Sequence, residues 1–199
     1  MLNKRFEFEK EAWANHQAVL GIDEAGRGPL AGPLVVAGGI LKSHTTSDFI
    51  VDSKTLSEKK RYQAFLEVLK HAQAYEIKIK SPQAIDASNI YALTLTTMQE
   101  LANILPADLI LADAMQLQQP PSKKLIKGDQ RSISIAAASI LAKVVRDQRM
   151  LGYDAQYPGD GFKLHIGSPT KAHYEALALH GPCPIHRLSF KMFKQATLF

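Results

Sequence analysis

The sequence predicts an α/β fold: a mixed sheet flanked by helices, with a helical C-terminal appendage. Three patterns predict it. Short apolar runs rich in Val and Ile come first, helical periodicities are interleaved with further runs, and a proline-punctuated tail follows. Residues 1–152 read as the core and 153–199 as a helical, basic region packed on it.

The elements follow in order. Ala18 to Asp23 and Pro33 to Leu41 are apolar strands joined by a Gly/Pro-rich loop. Thr55-Leu-Ser-Glu58 has the form of a capping box, opening a helix with Tyr62, Phe65, Leu66 and Leu69 on one face. Ala74 to Lys80 alternates like an edge or half-buried strand. Between Asp86 and Leu105, residues Ile90, Leu93, Thr97, Leu101 and Ile104 recur at helical spacing. Asp108 to Asp113 is a short strand with an acid at its end, and Lys124 to Lys127 is another candidate strand. From Gln130 to Gly152 a long helix sets Ile133, Ala137, Ile140, Leu141, Val144 and Leu151 on one side. Ser139, Lys143, Arg146 and Met150 lie on another, and Ala136-Ala-Ala138 allows close approach of a neighbour. Pro158, Pro169, Pro182 and Pro184 break the remainder into short helices and loops.

With 199 residues, 46% of them apolar, the chain can bury a sizeable core. A single cysteine, Cys183, forbids an intrachain disulfide and a cysteine-based zinc site, and suits a reducing cytosol. The charged segment Met1 to Trp13 lacks the apolar core of a signal peptide, and Gly28 to Leu41 is too short and too broken to cross a membrane. A cytoplasmic monomer without membrane contact is expected. The net charge of +5 is unevenly spread. Residues 1–119 hold 12 Lys/Arg against 14 Asp/Glu, a balance of −2, whereas residues 120–199 hold 12 against 5, a balance of +7. That asymmetry suits a polyanion facing the C-terminal part, or simply a solubilising surface.

Three apolar segments end in acids: Gly21-Ile-Asp23-Glu24, Leu111-Ala-Asp113 and Lys127-Gly-Asp129. Each has an ordinary explanation alone, as a solvated turn, a strand-closing turn and a helix N-cap respectively. Together they place Asp23, Glu24, Asp113 and Asp129 where they could converge at one end of a sheet. Mutual repulsion would then call for divalent cations, and oxygen-only ligands favour Mg²⁺ or Mn²⁺ over zinc. Gly26-Arg-Gly-Pro-Leu-Ala31 fits a dinucleotide-binding pattern formally, but it runs into a strand where that motif opens a helix. No Walker A sequence is present. A Gly-Arg-Gly loop beside carboxylates does let the backbone approach a sugar or phosphate.

Gly21-Ile-Asp-Glu-Ala-Gly-Arg-Gly-Pro-Leu-Ala-Gly-Pro33 closely resembles the opening motif of the ribonuclease HII family. Asp52-Ser-Lys54 with Leu56-Ser57, Lys127-Gly-Asp129 with Ala136-Ala-Ala-Ser-Ile-Leu-Ala-Lys143 and Arg146-Asp147, and Gly181-Pro182 with Pro184-Ile-His-Arg187 and Ser189-Phe190 are similar to later family blocks, in the same order. The resemblance implies a ribonuclease H-like fold and an endonuclease that cuts the RNA strand of RNA–DNA hybrids and ribonucleotides embedded in duplex DNA. It implies cleavage on the 5′ side of the ribonucleotide by a two-metal mechanism, leaving a 3′-hydroxyl and a 5′-phosphate. Asp23, Glu24, Asp113 and Asp129 would be the catalytic, metal-binding acids. Gly26, Arg27 and Gly28 would read the 2′-hydroxyl, and Lys54 would lie near the substrate phosphate. Lys143 and Arg146, on the polar stripe of the long helix, are candidate phosphate contacts, with internal ion pairing the alternative for Arg146. His165, His173, His180 and His186, with no second ligand type at metal spacing, read as structural or phosphate-facing rather than as a zinc site.

Three positions depart from the family pattern. Ala114 stands where glycine usually follows the third acid, Ile166 where lysine is usual, and Ser168 where a junction-reading tyrosine is usual. Two other functions compete: a different two-metal nuclease on the same fold, and a non-catalytic hybrid-binding protein.

Overall fold

A computed structural model describes residues 5–118 and 121–196, so the outer ends of the segments 1–152 and 153–199 lie outside the described residues. The chain runs α1 (Glu9–Ala14), β1 (Val19–Ala25), β2 (Leu34–Leu41), α2 (Glu58–His71), β3 (Ala72–Lys80), α3 (Pro82–Asp86), α4 (Ile90–Ile104), β4 (Leu109–Asp113), β5 (Ser122–Leu125), α5 (Ile133–Gln156), α6 (Phe162–His165), α7 (Lys171–His180) and α8 (Lys191–Ala196). Two 3₁₀ turns, Ser53–Thr55 and Gly128–Gln130, precede α2 and α5.

The sheet order is β3-β2-β1-β4-β5. β1, β2 and β3 are antiparallel neighbours, whereas β4 and β5 join β1 in parallel. The mixed sheet expected from the sequence is therefore present. β2 is buried along its whole length, as a strand covered on both faces must be. Val35, Ala37 and Leu41 point to the layer of α1, α2 and α5, while Leu34, Val36 and Ile40 point to the layer of α4. β3, at one edge, has the half-buried pattern its alternation predicted.

Gly21 sets the distance between α5 and the sheet. A Cβ there would sit 2.1 Å from the backbone carbon of Ser134, so no larger residue lets α5 rest this closely on β1. The small-residue run Ala136-Ala-Ala138 is fully buried in the same contact.

The structure corrects several boundaries. Ser57, not Thr55, caps α2, accepting from Lys60 N–H; Thr55 belongs to the preceding turn, whose N-cap is Asp52. The buried face of α2 is Ala64 and Val68, with Phe65 and Leu69 partly covered, while Tyr62 and Leu66 are half exposed. Ile104 is likewise half exposed at the end of α4. β5 covers Ser122–Leu125 rather than 124–127. α5 begins at Ile133, and Ser132 is its N-cap, so Asp129 caps nothing there. The division at 152 falls inside α5, which continues to Gln156. The expected polar stripe on α5 is mostly interior. Ser139, Arg146 and Met150 are buried: Ser139 against Ser53, Arg146 against the carbonyls of Ala31, Pro33 and Ile166, and Met150 in a cluster with Phe162 and Ile185.

Candidate active site

β1 and β4 are parallel neighbours with Ile22 beside Ala112. One residue further along that register brings Asp23 next to Asp113 at the carboxyl ends of both strands, where open α/β sheets bind ligands. Period-two alternation puts both on the α5 side, after Gly21 and Leu111. Asp113 Oδ1 accepts from Gly128 N–H at 2.8 Å, which pins the 3₁₀ turn and delivers Asp129 to the same place. Lys127, before that turn, is left-handed at φ 53°.

The four sequence-predicted acids thus meet, and their electrostatics record it. Burial first, then the charges of Glu24 and Asp113, hold the Asp23 carboxyl well above the usual range. Glu24 is raised chiefly by burial and by Asp113, against the opposing pull of Arg27. Asp129 is pushed up to about 6 by burial and by Asp52. Burial opposes the charge of Lys54, but Asp129, Asp23, Asp52 and Asp113 outweigh it and raise its pKa. Glu24 Oε2 is buried without a hydrogen-bond partner. An all-oxygen cluster with raised pKa values and an orphan carboxylate oxygen fits hard divalent cations, whose charge would relieve both.

Two neighbours of the cluster escaped the sequence reading. Asp52 accepts from Lys54 N–H at 2.9 Å and raises Asp129, and only its place in the motif Asp52-Ser-Lys54 signalled it. Ser139 hydrogen-bonds Ser53 Oγ at 2.9 Å and helps lower Asp23, a contact between residues far apart in sequence.

The Gly-Arg-Gly loop is held from inside by two buried arginines. Arg187 donates to the carbonyls of Arg27, Pro29, Gly32 and Pro33 at 2.8–3.2 Å. Arg146 donates to Ala31, Pro33 and Ile166 carbonyls, each at 3.1 Å. Burial lowers both, to about 9 for Arg187 and about 10 for Arg146. Arg146 is only 2% exposed, so the expectation of a phosphate contact gives way: its guanidinium is committed to carbonyls, and not to acids either. Arg187 went unrecognised because its acceptors are backbone atoms more than a hundred residues away. Gly26 (φ +100°) leaves room for Arg146, whose Nε would lie 2.2 Å from an added Cβ. Gly28 is exposed with open space at its Cα, and Arg27 is half-buried with Nη1 3.4 Å from Glu24 Oε1.

Leu30 N–H donates to Gly167 O at 2.8 Å, which brings the segment of Ser168 against this loop. The Ser168 carbonyl is held by His173 Nδ1 at 2.9 Å. Lys143 is partly exposed and pairs with Asp147 at 2.7 Å, an acid also approached by Arg61 at 3.4 Å. Of the family departures, Ala114 and Ile166 both adopt left-handed backbone, at φ 56° and 51°. Glycine suits that region at no cost, so Ala114 keeps the shape with some strain, and branched Ile166 with more. His165, His173 and His186 are buried, as a structural role requires, whereas His180 is exposed.

A model of the ribonuclease HII family matches residues 20–193, which span every acid above. A ribonuclease HII from Francisella tularensis subsp. novicida is 48% identical over 177 residues, covering 87% of this chain and 96% of its own. Among solved structures, the ribonuclease H2 from Pyrococcus horikoshii OT3 superposes with a TM-score of 0.76 at 23% identity, over 89% of this chain and 96% of its own. Bst-RNase HIII, solved in complex with Mn²⁺, superposes with a TM-score of 0.69 at 18% identity, over 90% of this chain and 69% of its own. The family model over nearly the whole sequence and the relative at 48% identity show the family, and this chain belongs to the ribonuclease HII family.

Proposed function

We propose that Asp23, Glu24, Asp113 and Asp129 form the metal-binding, catalytic centre of this enzyme. As a ribonuclease HII the chain is a metal-dependent hydrolase that cleaves RNA in RNA–DNA hybrids, and the two-metal mechanism and the cut 5′ of a ribonucleotide are general to that family. The observation that carries the residue assignment is the meeting of Asp23 and Asp113 at two parallel strand ends, with Asp129 fixed beside them through Gly128.

Mg²⁺ or Mn²⁺ held there would supply an activated water and stabilise the leaving 3′-oxygen. The chain's own residues do the rest. The carboxylates fix the charge and position of the centre. Lys54, kept cationic by the acids around it, is placed to steady the phosphate under attack. The carbonyl-anchored loop presents Gly26, Arg27 and Gly28 in one fixed shape, which suits reading a 2′-hydroxyl, the group that separates RNA from DNA. Ser168, beside that loop, is the position assigned to the junction, and Lys143 the remaining phosphate contact on α5. The basic segment after residue 152 would face the duplex. A cytoplasmic monomer belongs to the same reading, supported by a lone, free Cys183 that suits a reducing compartment.

A labelled duplex with one embedded ribonucleotide tests this, incubated with Mg²⁺, Mn²⁺ or EDTA. The expected result is a single cut 5′ of the ribonucleotide, abolished by EDTA. Cleavage of a matched all-DNA duplex would instead indicate a different two-metal nuclease, and tight binding without a cut a hybrid-binding protein.

A further inference from the structure

Away from the acid cluster, the C-terminal region gathers a second set of ligating side chains. Asp160, Cys183 and His186 each present one donor atom, and the three atoms lie within 4.8 Å of one another. Asp160 is 5% exposed, and its Oδ1 is buried with no hydrogen-bond partner. The Cys183 thiol lies close enough to the Asp160 carboxyl to hydrogen-bond it, and the buried Oδ1 left without a partner is what a cation would satisfy. The ligand types choose the cation: thiolate and imidazole favour a borderline-soft ion over Mg²⁺ or Mn²⁺. Neighbouring donors in a tetrahedral zinc site lie about 3.3–3.8 Å apart, from bonds of about 2.0–2.3 Å, so small side-chain rotations would close the set. The expectation that a lone cysteine excludes a thiolate zinc site is set aside here, because Asp160, far from Cys183 and His186 in the chain, brings a third donor to them.

We propose that Asp160, Cys183 and His186 bind a zinc-class divalent ion, separate from the catalytic acids, that clamps the C-terminal segment against the Gly-Arg-Gly loop. The clamp has a clear purchase on that loop. Ala31 pairs with His186 as an isolated bridge, Gly32 N–H donates to Ile185 O at 2.9 Å, and Arg187 N–H donates to Leu30 O at 2.9 Å. Loading balances simply. The Cys183 thiol forms a sulfur–metal bond and releases its proton to solvent. His186 gives up one present partner, either Cys183 N–H at Nδ1 (2.9 Å) or His173 Nε2 at Nε2 (3.0 Å), and keeps the other. Three protein ligands leave a fourth position for water.

The test is a cobalt titration of the full chain, stripped with EDTA and then kept in excess Mg²⁺. Because Cys183 is the sole cysteine, a thiolate-to-cobalt charge-transfer band can arise from this site alone. The expected result is a band saturating at one equivalent of Co²⁺ and displaced by Zn²⁺. It should be lost in Cys183→Ser, weakened at least tenfold in Asp160→Asn, and unchanged in Asp23→Asn. The thermal midpoint should rise with Zn²⁺ in wild type and stay fixed in Asp160→Asn, an isosteric change that keeps the fold. No band at one equivalent, or a band of equal affinity in Asp160→Asn, overturns the proposal.

Discussion

At the residue scale, burial and mutual repulsion raise the clustered acids, and two consequences can be measured. Asp129→Asn should lower turnover by two orders of magnitude or more while leaving hybrid affinity nearly intact, because a lost ligand misplaces the reacting water. The same variant should be more stable than wild type in EDTA at neutral pH, by on the order of 1 kcal/mol. The sign follows from Asp129 being raised to about 6: its stabilising proton is held below the ordinary carboxylate range and lost as pH rises through 6. Asparagine carries no charge to bury. Near-wild-type rates in Mg²⁺, measured by single-turnover cleavage, would remove Asp129 from the centre. Ser168 makes the second test. An aromatic ring stacked on a nucleotide contributes roughly 1–3 kcal/mol, which a serine cannot match. Ser168→Tyr should therefore raise activity on a single-ribonucleotide duplex more than on a long hybrid. Equal effects on both substrates would place Ser168 outside junction reading.

At the scale of elements, α5 is anchored at its N-terminal end. Glu9 in α1 accepts from Ser132 Oγ and from Ser134 N–H at 3.1 Å, tying the N-cap of α5 to the N-terminal helix. Its Oε2 is buried without a partner, and burial raises the Glu9 pKa despite those two hydrogen bonds. A raised carboxyl contributes stability below its unfolded value and loses it as pH rises through the folded one. Glu9→Gln keeps the accepting oxygen and removes the buried charge. It should stabilise the protein by about 1 kcal/mol at neutral pH, with the gain vanishing below the ordinary carboxylate range. Urea unfolding at both pH values decides it, and a loss of stability at neutral pH would mean that the charge itself is needed. Further along α5, the helical periodicity predicted a helix correctly but not its environment. Arg146 looked like a surface cation because sequence periodicity shows which residues share a side, not what later segment covers that side.

For the whole molecule, the question is where the duplex lies. The +7 balance of residues 120–199 overstates the free positive surface, since Arg146 and Arg187 are both interior and Lys143 is paired with Asp147. Hybrid affinity should still fall steeply with salt, each phosphate contact contributing roughly one unit to the log–log slope. Lys143→Ala should reduce that slope by about one unit if Lys143 exchanges Asp147 for a phosphate on binding, and affinity measured across a salt series shows whether it does.

The sequence by itself determined the mixed α/β architecture, the strands that end in acids, the four acids as a group and the family motifs. Those features are local: alternation, an apolar run and the residue that closes it are all visible within a few positions. What only the tertiary structure decided is long-range. The parallel register of β1 and β4 sets Asp23 beside Asp113, and the turn pinned by Asp113 brings Asp129 to them. The buried guanidinium of Arg187 reaches carbonyls from Arg27 to Pro33, and Asp160 finds Cys183 and His186 only after the C-terminal segment has folded back. Partners so far apart in the chain leave no periodicity to read, because chain folding rather than residue spacing creates their proximity.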